Sequence, residues 1–363
     1  MIYVHFPFCR SFCTYCDFYS VVSKGKMGQY AEALLREIDS QKGFFRACPP
    51  DSIRPTVYFG GGTPSLMPVA DLERICEALK AGFPSHGRPC EFTMEVNPDD
   101  VNPESAAAWK EMGVTRISMG VQSFDDDVLS RMARRHNSAK ARDAFRILRE
   151  AGFDNISLDL IYGYDLSWRR LGWEYDLDSV CALAPEHISS YQMTLEGDSA
   201  LVRLASKGKY TEPSDAECEA EYRLLQDVLA KAGYRQYEVS SWAKEGRESR
   251  HNSGYWTRLP YLGLGPAAHS YDGARERSWN PSDLDAYLAG APRQSETLDE
   301  EQLREEELLL GLRCAEGVRP GAADKAAAQR LLADGLLEYS PSGNLRIPPA
   351  HLFISEWIIE NLL

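Results

Sequence analysis

The chain of 363 residues is 44% hydrophobic and carries a formal charge of -14. It can bury a substantial core and exceeds the usual single-domain size unless one domain is a barrel, so one large and one small domain are expected. The acidic balance disfavours nucleic acid as a partner, and with no 18-residue apolar span and no leader-like start in MIYVHFPF, no integral membrane segment is expected.

Short apolar runs alternate along the chain with amphipathic stretches of ten to twenty residues, the pattern of βα repeats. The first strand, Ile2 to Phe6, runs into HFPFCRSFCTYCDFYS, where Cys9, Cys13 and Cys16 form a C-x3-C-x2-C spacing. A helix over 26–44 follows, then the strand Thr56 to Phe59 and the tract Gly60-Gly61-Gly62-Thr63-Pro64. Next come a helix over 70–81, the strand Glu91 to Val96 carrying Glu95, and a helix over 103–112. The strand Arg116 to Val121 leads to Gln122 and Ser123, a helix spans 138–151, and the strand Asn155 to Ile161 contains Asp159. A helix over 172–183 and the strand His187 to Gln192 complete six units. Six such units make a parallel sheet with right-handed crossovers, either curled into a partial barrel or flat and doubly wound.

After about residue 285 the texture changes. SETLDEEQLREEELLLGLRCAEGV is acidic with leucines at helical spacing, and beyond it the pattern is a second helix, a hairpin from Leu337 to Ile347 around Ser342-Gly343, and a final helix. The expected division is therefore 1–285 and 286–363, the second unit winged-helix-like. Its net acidity argues against DNA and for protein docking or packing within the chain.

Polar or glycine-rich residues follow successive strands at their carboxyl ends, where parallel barrels assemble their ligand sites. Three thiolates can hold three irons of a cubane cluster and leave the fourth open, whereas zinc would want a fourth ligand and usually a second cysteine pair. The other cysteines, Cys48, Cys76, Cys90, Cys181, Cys218 and Cys314, are singletons. An odd number of cysteines with metal-like spacing fits a reducing cytoplasm.

CRSFCTYC with YFGGGTPS, EVNP, GVQSF and DLIYG resembles the radical S-adenosylmethionine superfamily, in the branch that holds oxygen-independent coproporphyrinogen III oxidase (HemN) and the HemW group of heme chaperones. The resemblance spans most of the chain and implies an α/β fold, a partial (β/α)6 TIM-like barrel with a small C-terminal helical domain. It also implies a [4Fe-4S] cluster on Cys9, Cys13 and Cys16 whose open iron is chelated by S-adenosylmethionine, which on reduction is cleaved to a 5'-deoxyadenosyl radical. By the same resemblance Tyr3 would line the cofactor site, Tyr15 would pack on the adenine, and Gly61, Gly62 and Thr63 would receive the amino group or the methionine part. Glu95, Gln122, Arg134 and Asp159 would contact the cofactor, with Arg135 adjacent to Arg134 as the other arginine that aligns. An arginine suits the cofactor's carboxylate, and acidic or amide groups suit its ammonium and ribose hydroxyls.

Within that branch the sequence leans toward the chaperones. The oxidase pattern adds a fourth cysteine two residues after the third, where this chain has Phe18 after Asp17, and an amino-terminal extension that is not expected ahead of Tyr3. The usual glycine-proline turn after DLIYG is replaced by Tyr164-Asp165-Leu166, unlike either group. His251-Asn252-Ser253-Gly254-Tyr255-Trp256 fits the H-N-x-x-Y-W motif of the HemW group. That motif offers His251 as an axial ligand to heme and Tyr255 and Trp256 as aromatic cover, or a hydrogen-bonded structural corner. His5 and His269 are weaker candidates near the same site. The expected function is binding heme and passing it to an acceptor protein. The alternatives are the decarboxylating oxidase, whose activity is disfavoured, and a methyltransferase-like radical enzyme.

Overall fold

The computed structural model describes all residues except 24, 47, 49–51, 196 and 198. In chain order β1 (Ile2–Phe6) precedes α1 (Met27–Ser40), then β2 (Thr56–Gly61), α2 (Val69–Gly82), β3 (Glu91–Val96), α3 (Pro103–Glu111) and β4 (Arg116–Gln122). There follow α4 (Asp126–Arg131), α5 (Ser138–Glu150), β5 (Ile156–Tyr162), α6 (Trp173–Leu183), β6 (His187–Gln192), α7 (Ala200–Ala205) and α8 (Asp215–Lys231). Two short strands, β7 (Arg235–Glu238) and β8 (Ser241–Ala243), lead to α9 (Arg250–Trp256), β9 (Leu262–Leu264), β10 (His269–Tyr271) and β11 (Glu276–Trp279). The chain ends with α10 (Leu284–Leu288), β12 (Gln294–Thr297), α11 (Glu300–Gly311), α12 (Lys325–Ala333), β13 (Glu338–Tyr339), β14 (Leu345–Arg346) and α13 (Ser355–Glu360).

Strands β1 to β6 pair in parallel, each with its neighbour in sequence. β9 extends the sheet in parallel beyond β1, while β8 and then β7 add antiparallel beyond β6. The alternation within the strands decides the curvature. Val57 and Phe59, Phe92 and Met94, Ile117 and Met119, and Leu158 and Leu160 lie in the apolar core. The residues between them are polar: Tyr58, Glu95, Arg116, Ser118, Asp159 and Ser189 all line one cavity. A parallel sheet covered on both faces would be apolar at both sets of positions. Polar side chains from five consecutive strands meeting in one cavity mean that the sheet curls around a lumen, so the partial barrel is the observed arrangement and the flat sheet is not.

The lumen is floored by α9. The carboxylate of Glu91, at the start of β3, accepts hydrogen bonds from the N–H groups of Arg250 and His251, both at 2.9 Å, fixing the first turn of that helix beneath the strands. Beyond β5, where the usual glycine-proline turn is missing, Gly163 adopts a φ of +70° and its N–H donates to Glu221. Asp165 then caps a short turn, and Tyr164 stacks with Trp168 at 6.4 Å.

The carboxyl-terminal elements follow the expected helix, helix, hairpin, helix order, with β13 and β14 antiparallel. The expected boundary after residue 285 falls inside α10, and β12 pairs with β11 across it, so the sheet β10-β11-β12 ties the two sides together. Leu308, Leu331, Leu345 and Ile358 belong to the same apolar core as the barrel strands. No helix among the described residues is long and apolar enough to cross a membrane.

Candidate functional site

The loop after β1 is held at several points by backbone hydrogen bonds. Cys9 N–H donates to Val21 O at 3.0 Å and Val21 N–H to Pro7 O at 2.6 Å, closing the loop on itself. Thr14 N–H donates to Met132 O at 3.2 Å and Leu201 N–H to Thr14 O at 2.8 Å, tying its tip to the ends of α4 and α7. The Cys9, Cys13 and Cys16 side chains all line a cavity of about 470 Å3 that reaches down the lumen. Cys9 Sγ lies 3.7 Å from Thr63 Oγ1, and Cys13 Sγ accepts from Arg134 Nη1 at 3.4 Å. Burial pushes the Cys16 thiol up to about 12 and raises that of Cys9, so these sulfurs take charge only against a metal or the nearby cation. Among the described residues no three His, Cys, Asp or Glu side chains converge on a single ion. A cubane does not need that: each thiolate binds a different iron, so three thiols ringing a cavity fit a cluster better than they fit zinc.

Below the thiols the wall is built by β2 to β5. Glu95 accepts from Tyr58 Oη at 2.8 Å and Gly61 N–H at 3.1 Å, and burial pushes its carboxyl up to about 7. Asp159 accepts from Ser118 Oγ at 3.0 and 3.2 Å and from Ser157 Oγ at 3.3 Å, with burial again raising it. Gln122 sits at a register shift between β4 and β5 with a φ of +72°, a bulge that turns the end of β4 toward the cavity it lines. Arg134 donates from Nη2 to Gly120 O at 2.6 Å, which holds its guanidinium beside Cys13, whereas Arg135 ion-pairs with Asp99 at 3.4 Å. Arg134 is therefore the arginine next to the cysteine loop.

Glycine is required in the tract after β2. A Cβ on Gly62 would lie 2.8 Å from Phe8 O and 2.9 Å from Phe6 O, so the chain packs directly against the start of the cysteine loop. Gly62 N–H donates to Phe6 O at 2.7 Å and Gly61 N–H to Glu95, leaving neither for a ligand. Gly61, Gly62 and Thr63 all line the cavity, as does Tyr15, which packs on its other side against the cluster of Val128, Met132, Ile161 and Met193.

Six of the expected or candidate site residues are placed elsewhere. Tyr3 is not on the cavity wall; it stands behind Tyr58 at a ring distance of 6.0 Å, its hydroxyl 3.0 Å from His5 Nδ1. His251 is fully buried in the floor, with Nδ1 2.8 Å from Thr56 Oγ1 and Nε2 2.9 Å from Tyr255 Oη. Both ring nitrogens are committed, so in this arrangement His251 has no lone pair to give to iron. Tyr255 is committed to His251, and neither it nor Trp256 lines the cavity; of the six-residue motif, Asn252 does. His5 is bonded to Tyr19 O and Tyr3, and His269 stacks on Trp279 at 5.6 Å, away from the lumen.

Tyr58, Arg116, Ser118, Ser189, Tyr191 and Asn252 line the cavity without having been singled out in the sequence. The signal for those on strands is polar residues at alternate positions of strands that should be apolar on both faces, whereas Asn252 lies on α9 within the quoted motif. At the mouth Phe12, Phe18 and Tyr191 stand 59%, 69% and 45% exposed.

Residues 3–170 match the family model described as the Radical SAM superfamily. A heme chaperone HemW from Synechocystis sp. is 35% identical over 330 residues, 87% of this chain and 78% of that protein. One from Bacillus subtilis is 35% identical over 327 residues, 87% of this chain and 84% of that protein. The coproporphyrinogen III oxidase HemN of Escherichia coli, solved as a radical SAM enzyme, superposes with a TM-score of 0.80 over 99% of this chain and 89% of its own, at 20% identity. At that identity the likeness is one of fold.

Proposed function

Because the chain belongs to the radical S-adenosylmethionine superfamily and within it to the HemW group, we propose that it is a heme chaperone that binds heme and passes it to an acceptor protein, using a [4Fe-4S] cluster and S-adenosylmethionine. The observation that carries the cofactor reading is that all three thiols of the cysteine loop open into the same cavity as Glu95, Gln122, Arg134 and Asp159. In this reading Cys9, Cys13 and Cys16 hold the cluster, which when bound supplies an iron with an open coordination position and an electron.

The chain's own residues do the rest. Arg134, fixed by Gly120 O, is set to receive the cofactor's carboxylate. Glu95 and Asp159 accept from its ammonium and ribose hydroxyls, Gln122 reads a further polar edge, and Tyr15 covers the adenine against the second apolar cluster. Thr63 and the oxygens of the glycine tract complete the cradle. Heme enters through the relatives' function, and the apolar faces that suit its macrocycle are the exposed rings of Phe12, Phe18 and Tyr191 at the mouth. His251 enters as a support of the floor. The oxidase reading rests on fold likeness alone.

A heme titration of the anaerobically reconstituted protein, followed at the Soret band, tests this. The expected result is saturation near one heme per chain, retained in His251→Ala and weakened in Phe12→Ala with Phe18→Ala. No saturable binding by the wild type, together with product formation from coproporphyrinogen III, would replace the chaperone by the oxidase.

A further inference from the structure

The lumen contains one charged side chain that neither the cofactor reading nor the fold accounts for. Arg116, the first residue of β4, is 1% exposed and lines the cavity. Among the described residues its Nε has no hydrogen-bond partner and no carboxylate lies within ion-pairing distance of it. A guanidinium taken out of water without a direct partner is costly, and β-strands offer many apolar residues that would fill the position. β4 lies between β3 and β5 in the sheet, the strands that carry Glu95 and Asp159. Those two carboxylates face the same cavity, each held by neutral donors: a tyrosine hydroxyl and a backbone N–H for Glu95, serine hydroxyls for Asp159.

We propose that Arg116 is a positioning residue of the lumen: it supplies, through space, the countercharge that lowers the cost of ionising Glu95 and Asp159, so that both can meet a cationic ligand as carboxylates. The proposal rests on the reading of this cavity as the S-adenosylmethionine site. When both carboxylates are ionised, they and one arginine leave the lower lumen one negative charge, which matches a ligand carrying an ammonium and a sulfonium against one carboxylate. A direct ion pair would have taken the remaining lone pairs of the carboxylate oxygens; separation leaves those lone pairs, beyond the ones the neutral donors use, to bond the ligand. The titratable and charged groups near enough to Glu95 to act on its charge are Tyr3 on β1, Tyr58 on β2, Arg116 on β4, Asp159 on β5 and Tyr255 on α9, of which Tyr58, Arg116 and Asp159 share its cavity, and those near Asp159 include Tyr58 and Tyr191. Arg116 is the one cation among them. Burial raises both carboxyls, and Arg116 is the charge that opposes it.

The test compares wild type, Arg116→Met, Arg116→Gln and Arg116→Lys. One readout is the infrared band of the protonated carboxyl, assigned by its loss in Glu95→Gln, followed from about pH 5 to about pH 9. The other is S-adenosylmethionine affinity of the anaerobically reconstituted protein over the same range. The neutral variants should hold the protonated band to a pH higher by about one unit and bind about fivefold more weakly at pH 7, recovering as the pH rises. Arg116→Lys should restore both. An unmoved band, or a loss of affinity equal at every pH and not rescued by lysine, would overturn the proposal. Absence of binding by the wild type would instead refute the cofactor reading, and the infrared midpoint would still decide the role of Arg116.

Discussion

Glu95 is buried in the lumen with two hydrogen bonds, and burial still pushes its carboxyl up from the ordinary 4.5 to about 7. A carboxyl raised on folding binds its proton more tightly in the folded chain, so its contribution to stability is largest when it is protonated. Above about pH 7 the folded protein bears the full cost of the charge, about 3 kcal/mol for this shift, and the cost disappears as the pH falls toward about 4.5. Glu95→Gln should therefore stabilise the metal-free protein by about 3 kcal/mol near pH 8 in urea unfolding, give no gain near pH 4.5, and weaken S-adenosylmethionine binding. Equal stability of the two proteins at pH 8 would mean that the charge is not buried. Glu95 and Gln122 were legible in the sequence because they lie at the carboxyl ends of strands, where barrels build sites, and Asp159 because it is a carboxylate inside an apolar strand run. Arg116 was not, because at the first position of a strand a polar residue reads as a strand boundary. His251 was legible as a motif but not as a role, since only the partners Thr56 and Tyr255 reveal that both nitrogens are spent.

At the scale of elements, the strands and helices of the first half fall within a few residues of expectation. β1, β3 and β6 match their expected runs end to end: Pro7 stops β1, Asn97-Pro98 follows β3 and Glu186 precedes β6. The longest helix, α8, was not foreseen, although Ser214 and Glu217 form a capping box at its start; its charged composition obscures the apolar face that Tyr222, Leu225 and Leu229 bury. The contact that makes the site is between elements: the glycine tract after β2 lies against the first residues of the cysteine loop. Gly62→Ala would set a methyl group against two carbonyl oxygens of that loop. We expect a loss of about 1–3 kcal/mol and a reduced iron content after reconstitution, while the equivalent change at Gly28, where nothing lies within 4 Å, leaves iron content intact. Full iron loading of Gly62→Ala would show that the loop tolerates the displacement.

Taken whole, the molecule is less divided than its sequence implies. The acidic texture after residue 285 marks a change in surface, not in core. Val239 N–H donates to Arg313 O at 2.8 Å, Ala315 N–H donates to Tyr237 O at 3.0 Å, and Arg258 Nη1 reaches Leu303 O at 3.0 Å, so the carboxyl-terminal helices are bonded to β7, the turn after it and the segment after α9. Such pairings join residues far apart in sequence, and no local pattern announces them. What the whole assembly presents is a polar lumen with a ring of thiols at its upper end, a carboxylate pair below and a closed floor. The measurement that tests this most directly is an electron paramagnetic resonance spectrum of the anaerobically reconstituted, reduced protein, with iron and sulfide counted per chain, before and after adding S-adenosylmethionine. The account predicts about four irons per chain and a spectrum that changes on addition, with both lost when Cys9, Cys13 and Cys16 are replaced by alanine. A four-iron cluster whose spectrum ignores S-adenosylmethionine, or iron uptake that survives loss of the three cysteines, would contradict it.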